Sequence, residues 1–489
     1  MTTETNDPPF LGTRRGRLTL LLLCAVAFID FIDASIVNVA LPSIQRDLEL
    51  SVQNLLWIPS GYLLTYGGFM LLGGRAADLL GRRRVLVAGT SLIAIASLAG
   101  GLAGTSGILT GARLAQGIGA AMMLPAALSI LTTTFVEGPD RHKAMGAWGA
   151  TGGLASAAGV FFGGVLTEGP GWRWVFFVNL PVCALVLVAI PRLIPGGRRR
   201  TARGSFDVLG AVLATGGMLL LVYALVKAPD QGWASGRTVL ELTGAAALLI
   251  AFVVNEQVIG NPLMPLSIFR IRGLGAANVT QLIGVAGFLS MFFFITLYMQ
   301  DVLGYSEITA GSAFLPVCLG VGIAAGIASK LFGRVGTRPV IVAGALIAAA
   351  GIYWLSRIPV DGSYLTDLLP GLVIMSFGLG GIFVGVTTAA NAGVPADKAG
   401  LAAALLNTSQ QLGGALGLAI FTAIATSRTK HELAAHRPQL DAFTSGFQRA
   451  LLVASVFLVA AAVIGLRATN SRGETEQPAE QVPAGSLVA

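Results

Sequence analysis

A series of long apolar runs constrains this chain more than any other feature. Fourteen lie between residues 18 and 467, among them 18–41, 144–167, 399–426 and 446–467. A helix needs about 20 mainly apolar residues to cross a bilayer. The expected fold class is therefore an all-α membrane protein with 14 transmembrane helices. Composition agrees, since 11% of residues are charged where soluble domains average about 25%.

The pI near 9.7 would suit a nucleic-acid binder, but the basic residues sit in short loops between the apolar runs. An even number of crossings brings both termini to one side. Lys and Arg number 22 on that side and nine on the other, with Arg113 alone assigned to a helix interior. The excess marks the cytoplasmic side, so both termini are expected to be cytoplasmic. Arginine outnumbers lysine 27 to 5, a bias that suits a GC-rich bacterial genome and carries nothing more. The first run is too long for a cleaved signal and should be retained. Residues 1–17 are read as a cytoplasmic segment and 468–489 as a disordered tail.

Two loops resemble each other. GGRAADLLGRRRV (73–85) and ASKLFGRVGTRPV (328–340) align with Gly81 on Gly336, Arg83 on Arg338 and Arg75 on Lys330. The chain then divides into a six-helix bundle (18–194), a basic linker with two extra helices (195–273), and a second six-helix bundle (274–467). Paired six-helix halves with a site between them near the midplane are a common transporter plan. In the first loop Asp78 stands among Arg75, Arg82, Arg83 and Arg84, with Gly73, Gly74 and Gly81 permitting a turn and close helix approach. Such a string can lock one conformation and release in another; the arginines alone would be a plain topology signal.

At this point the chain resembles the major facilitator superfamily. Gly74, Ala77, Asp78, Gly81, Arg82 and Arg83 match its loop signature, with Ala76 in place of the usual Leu. Asp33, Ser35, Ile36, Val37, Asn38, Val39, Ala40, Leu41 and Pro42 match the helix-1 string of its fourteen-helix drug:proton antiporters. Arg113, Gln116, Gly117, Gly119 and Pro125 match the helix-4 signature, and WRWVFFVNLP (172–181) the start of helix 6. The helix-5 antiporter signature is incomplete. Gly159, Gly163 and Gly164 permit close packing, but its proline is absent, and the bend it would impose is not guaranteed.

The resemblance implies proton-coupled efflux of drugs or antibiotics by alternating access, with a conformational gate at Gly74, Asp78, Gly81, Arg82 and Arg83. Asp30 and Asp33 are the expected proton-coupling residues. A carboxylate inside a bilayer costs roughly 2.5–3.5 kcal/mol on the insertion scale. These two are spaced i, i+3, so they share a helix face and resist ionising together. Asp33, inside the family string, is the leading candidate. Asp30 either tunes its neighbour, binds a cation, or is silent. Arg113 is expected to partner polar groups of helix 1 or helix 4, with snorkelling as the alternative. Asn38, Gln116, Asn278, Gln281, Asn407 and Gln410 are candidates for the substrate cavity, with interhelical hydrogen bonding the alternative. Glu241, Glu256 and Asp207, at the extra helices, are read as structural.

Cys24, Cys183 and Cys318 all lie in apolar runs and form no CxxC or metal spacing. No HExxH, GxSxG or phosphate-binding loop is present, so an enzyme is not expected. Neither is any cofactor or metal, protons being the coupling ion. The expected partners are amphipathic substrates, cationic ones included, and membrane lipid, with the chain working as a monomer. Proton-coupled symport or uptake of a small solute by the same fold is the alternative. A sensor or a channel fits less well.

Overall fold

The computed structural model describes residues 10–135, 139–195, 207–260, 262–264, 266–271, 273–392, 394 and 399–470, and omits some side chains within helices, including that of Asp78. The linker 196–206 and the tail 471–489 thus lie outside the described residues, as does the lock expected of Asp78.

Among the described residues thirteen helical spans are long and apolar enough to cross a membrane; Pro139–Glu168 is a further helix of 30 residues, with an apolar stretch at Ala158–Glu168. In chain order they are α1 (Arg14–Asp47), α2 (Trp57–Leu80), α3 (Arg82–Gly101), α4 (Ser106–Thr134), α5 (Pro139–Glu168), α6 (Asn179–Leu193), α7 (Val208–Gln231), α8 (Gly236–Val258), α9 (Leu274–Leu297), α10 (Leu315–Val335), α11 (Thr337–Leu355), α12 (Leu369–Asn391), α13 (Ala399–Ala434) and α14 (Gln439–Gly465). Short turns precede α2, α6 and α10. Polar caps start several helices: Thr13 accepts from Gly16 N, Thr105 from Ile108 N and Asp207 from Gly210 N. We call the side where α1 begins the terminal face and the other side the distal face.

The repeat seen in two loops extends to the helix packing. In α1–α6 the first helix packs on the fifth, the second on the fourth, and the third on the fourth and sixth; α9–α14 repeat these pairings in the same order. Small residues carry matching contacts, because bilayer helices gain stability from close van der Waals approach rather than from hydrophobic exclusion. A Cβ added to Gly117 of α4 would lie 2.3 Å from the Tyr62 carbonyl of α2, and one added to Gly380 of α12 would lie 2.6 Å from the Val321 carbonyl of α10. Gly81 and Gly336, aligned by sequence, both adopt positive φ (100° and 88°) between consecutive helices. Only a residue without a Cβ takes that conformation freely.

The two halves meet where α2 packs on α13 and where α5 packs on the turn before α10. Helix α7 touches both α2 and α13, so the extra pair sits over that first seam. Hydrogen bonds and an ion pair join the halves at the distal face. Glu307 accepts from Arg46 (2.8 Å) and from the Ser43 hydroxyl (2.5 Å), Gln300 donates to the Val39 carbonyl (3.0 Å), and Ile308 N donates to Glu168 (3.2 Å).

Candidate transport site

The site grows from the contact of α2 with α4. Gly117 lets α4 lie directly on α2, and Thr65 of α2 donates to the Leu114 carbonyl at 2.8 Å. One turn before Gly117, this contact places Arg113 over the ring of Tyr62, with Cζ 4.3 Å from the ring centre. The guanidinium then reaches across to α1. Its Nη1 donates to Asp33 Oδ2 at 2.6 Å and to Gln116 Oε1 at 2.9 Å, while Nε donates to the Ile58 carbonyl at 3.1 Å. Asp33 Oδ1 accepts from Asn179 of α6 at 2.7 Å and from Gln116 at 3.0 Å. Ser97 of α3 completes the network by accepting from Gln116 at 2.8 Å. Asp33 and Arg113 are 3% and 1% exposed. A buried ion pair is tolerated when its remaining lone pairs and protons find partners, and here both carboxylate oxygens and two guanidinium nitrogens do.

Asp30 lies in a different setting. It is equally buried, yet its partners are neutral: Tyr62 donates to Oδ1 at 3.2 Å and Tyr66 to Oδ2 at 2.9 Å. The two rings meet edge to face. The shared face of Asp30 and Asp33 is therefore split, with Asp33 aimed at α4 and α6 and Asp30 at α2. Tyr62 belongs to both clusters, its ring facing Arg113 and its hydroxyl facing Asp30. Next to Tyr66, a Cβ on Gly67 would lie 3.0 Å from Gln411 Cβ of α13. The Asp30 cluster thus adjoins the seam between the halves.

The other expected residues are placed as follows. Gln116, expected to line the substrate cavity, is fully buried within the ion-pair network, its amide serving Arg113, Asp33 and Ser97 together. Asn38 and Asn407 each donate to a carbonyl of their own helix. Gln281 donates to Gln410 at 3.2 Å, and Asn278 accepts from Ser409 at 2.9 Å, so these residues tie α9 to α13. A Cβ added to Gly74 would lie 3.8 Å from Pro125 Cβ. Arg82 donates to Thr133 at 2.7 Å, while Arg83 is half-buried and Gly81 exposed. Added Cβ atoms on Gly159 and Gly163 would meet Ser35 Oγ of α1 at 2.0 Å and the Ile36 carbonyl at 2.8 Å; one on Gly164 would meet the Glu307 carbonyl at 2.7 Å. Helix α5 achieves this packing without an internal proline. Asp207 accepts from Asn255, Glu256 from Met264 N and Glu241 from Arg237. Phe161 and Phe162 are exposed, whereas Phe292 stacks on Phe314 at 4.2 Å inside the second half. Among the described residues no group of three or more His, Cys, Asp or Glu could hold a metal.

Sequence reasoning did not single out Tyr62, Tyr66, Ser97 or Asn179 as site residues. Asn179 did carry a signal, as the asparagine of WRWVFFVNLP. Trp172 and Arg173 of the same string hold Asp47 at the end of α1 (3.0 and 2.9 Å), which fixes where α6 begins.

A family model described as the Major Facilitator Superfamily matches residues 23–418. The chain is 38% identical over 464 residues to the puromycin resistance protein pur8 of Streptomyces alboniger, covering 93% of this chain and 92% of that one. It is 38% identical to the cephamycin export protein CmcT of Amycolatopsis lactamdurans, covering 92% of each. It is 35% identical to the tetracenomycin C resistance and export protein of Streptomyces glaucescens, covering 88% and 81%. Among solved structures, the bacterial homologue of the lysosomal transporter Spinster superposes with a TM-score of 0.66 at 17% identity, over 91% of this chain and 95% of that one. The POT family transporter PepTSo superposes with a TM-score of 0.67 at 15% identity, over 92% and 97%. At that identity these two speak for the fold alone. The signature residues, the repeated helix packing and the matched span agree, and the chain belongs to the Major Facilitator Superfamily.

Proposed function

We propose that this chain is a transporter, not an enzyme, that exports amphipathic drugs or antibiotics, cationic ones included, in exchange for protons. It works as a monomer in the bacterial inner membrane with both termini cytoplasmic, and needs no cofactor beyond the coupling proton. Export is supported by the relatives named for resistance and export. Proton coupling is supported by one observation: of two neighbouring buried carboxylates, Asp33 has a cation and Asp30 has none among the described residues. Burying an unpaired carboxylate costs far more than burying the neutral acid. Asp30 is therefore the residue we assign to proton uptake, although sequence alone favoured Asp33. Its tyrosine partners suit the task, since a hydroxyl donates to a carboxylate and accepts from a carboxylic acid. A cationic substrate replaces the proton as the partner of the charged form. The Asp33–Arg113 pair holds α1, α4 and α6 together around this event. The closed distal face and the adjacent α2–α13 seam then supply the element that rocks.

The test uses inverted membrane vesicles with an imposed proton gradient. Adding ethidium should dissipate the gradient with the parent protein and not with Asp30→Asn. Normal, gradient-driven ethidium transport by Asp30→Asn would remove the assignment.

A further inference from the structure

The nine Lys and Arg residues of the distal face stand where cations are disfavoured, so each should have a partner. Six have carboxylates: Arg46 with Glu307, Arg173 with Asp47, Arg237 with Glu241, Lys430 with Asp230, and Arg428 and Arg437 with Glu432. Lys227 donates to Asn54. The remaining two are Arg357, held only by the hydroxyl and ring of Tyr353, and Arg449, which has no hydrogen-bond or ion-pair partner among the described residues. Both line one groove.

The groove has a volume of about 820 Å³ and lies between the end of α11, the α13–α14 hairpin and the α7–α8 turn. Arg357, Arg428, Arg449 and His431 line it on its polar side, together with the half-exposed Trp233. Ile424 and Leu452 also line it, and each stands deeper along its helix than the charged residues beside it. Helix α14 starts at Gln439, so Arg449 stands nearly three turns along it, where the polar sequence gives way to Ala450–Leu451–Leu452. Cationic and apolar lining residues and a half-exposed tryptophan therefore coincide, the combination that suits the zone where headgroups meet acyl chains.

We propose that this groove binds the phosphate-bearing headgroup of an anionic phospholipid, with Arg357 and Arg449 as the recognition residues. Arginine matches phosphate with paired, charge-assisted hydrogen bonds, and the Ile424–Leu452 floor accepts the first methylenes of an acyl chain. A lipid supplies the missing counter-charge without requiring a protein carboxylate. The headgroup would also brace the α13–α14 hairpin against α11.

The experiment is native mass spectrometry of the purified full-length protein in mild detergent, titrated separately with phosphatidylglycerol and phosphatidylcholine. A basic residue near the membrane surface contributes about fivefold to anionic-lipid binding. R357Q and R449Q should each weaken phosphatidylglycerol binding about fivefold, and the double variant about twenty-five-fold. Phosphatidylcholine carries the same phosphate with a compensating choline cation, so it should bind the parent protein more weakly and lose less in each variant. R437Q, outside the groove, serves as the control for general surface charge, and the R357K/R449K protein, which keeps the charge but not the paired geometry, should recover only part of the affinity. Unchanged phosphatidylglycerol binding in the double variant overturns the proposal, as does an equal loss in R437Q. Displacement of the lipid by millimolar inorganic phosphate overturns the lipid assignment in favour of a soluble anion.

Discussion

Replacing either partner of the buried Arg113–Asp33 pair should destabilise the protein strongly. The N–O separation is 2.6 Å, which puts the charge centres about 4 Å apart. At an effective dielectric constant near 20 that pair is worth about 4 kcal/mol, in line with about 3–5 kcal/mol for breaking a buried pair from one side. Arg113→Gln leaves Asp33 with only the amides of Asn179 and Gln116. Asp33→Asn leaves the guanidinium without a counter-charge, facing only neutral acceptors and the Tyr62 ring. Each single variant should lose about 3–5 kcal/mol. The double variant removes both charges, so its loss should stay well below the sum, with a coupling energy of at least about 2 kcal/mol. Equilibrium unfolding in mixed dodecylmaltoside–dodecylsulfate micelles, followed by tryptophan fluorescence, measures all three. Additive losses would mean that the two side chains do not form a pair in the membrane.

Two further substitutions separate overlapping roles. Tyr62→Phe keeps the ring beneath Arg113 and removes one donor from Asp30. It should slow gradient-driven transport with little change in unfolding free energy, whereas Tyr62→Leu should also lose about 1–2 kcal/mol of cation–π contact in the same micelle assay. Gly159→Val places a side chain where Ser35 Oγ lies 2.0 Å from the first added carbon. Overpacking of that kind costs typically about 1–3 kcal/mol, so a lowered melting temperature is expected, while Gly216→Val, at a glycine facing open space, should be silent.

The fold was legible because a bilayer demands long apolar segments, and those survive in any reading of the chain. Helix ends were not, for the same reason. The run 399–426 continues as helix to Ala434, and α14 begins at Gln439 rather than 446. Beyond the bilayer, polar residues carry the helix on, helped by pairs such as Arg428–Glu432 at i, i+4. The spacing of Asp30 and Asp33 revealed a shared face but not who stands opposite. Arg113 lies 80 residues away from Asp33 in sequence, and only packing through Gly117 joins them. Tyr62 and Tyr66 read as ordinary core aromatics, because nothing local distinguishes a tyrosine whose hydroxyl meets a carboxylate. The polarity of Gln116 did not tell its partners either: an amide in an apolar run suits a cavity wall and an ion-pair network equally.

The contacts between the halves bear on which motion is hindered. Glu307 gathers Arg46 and Ser43 from α1, and its carbonyl lies against Gly164 of α5. Asp230 of α7 pairs with Lys430 of α13 and accepts from Gln53, ahead of α2, at 3.5 Å. Both links must open if the distal face opens, so the extra helices act as a second fastening rather than a passive insertion. The Arg46–Glu307 pair is partly exposed, at 59% and 17% of the two side chains, which limits it to about 0.5–1 kcal/mol. Glu307→Gln should therefore enlarge the distal-open population by about two- to fivefold, not convert the protein outright, because the Gly164 and Gln300 contacts persist. Spin labels at Glu49 and Asp361, both exposed on the distal face, report this directly as growth of a longer-distance population. Adding Asp230→Asn to Glu307→Gln should enlarge it again by a similar factor if the fastenings act independently. An unaltered distance distribution in the double variant would show that backbone packing at Gly164, and not these side chains, closes the distal face.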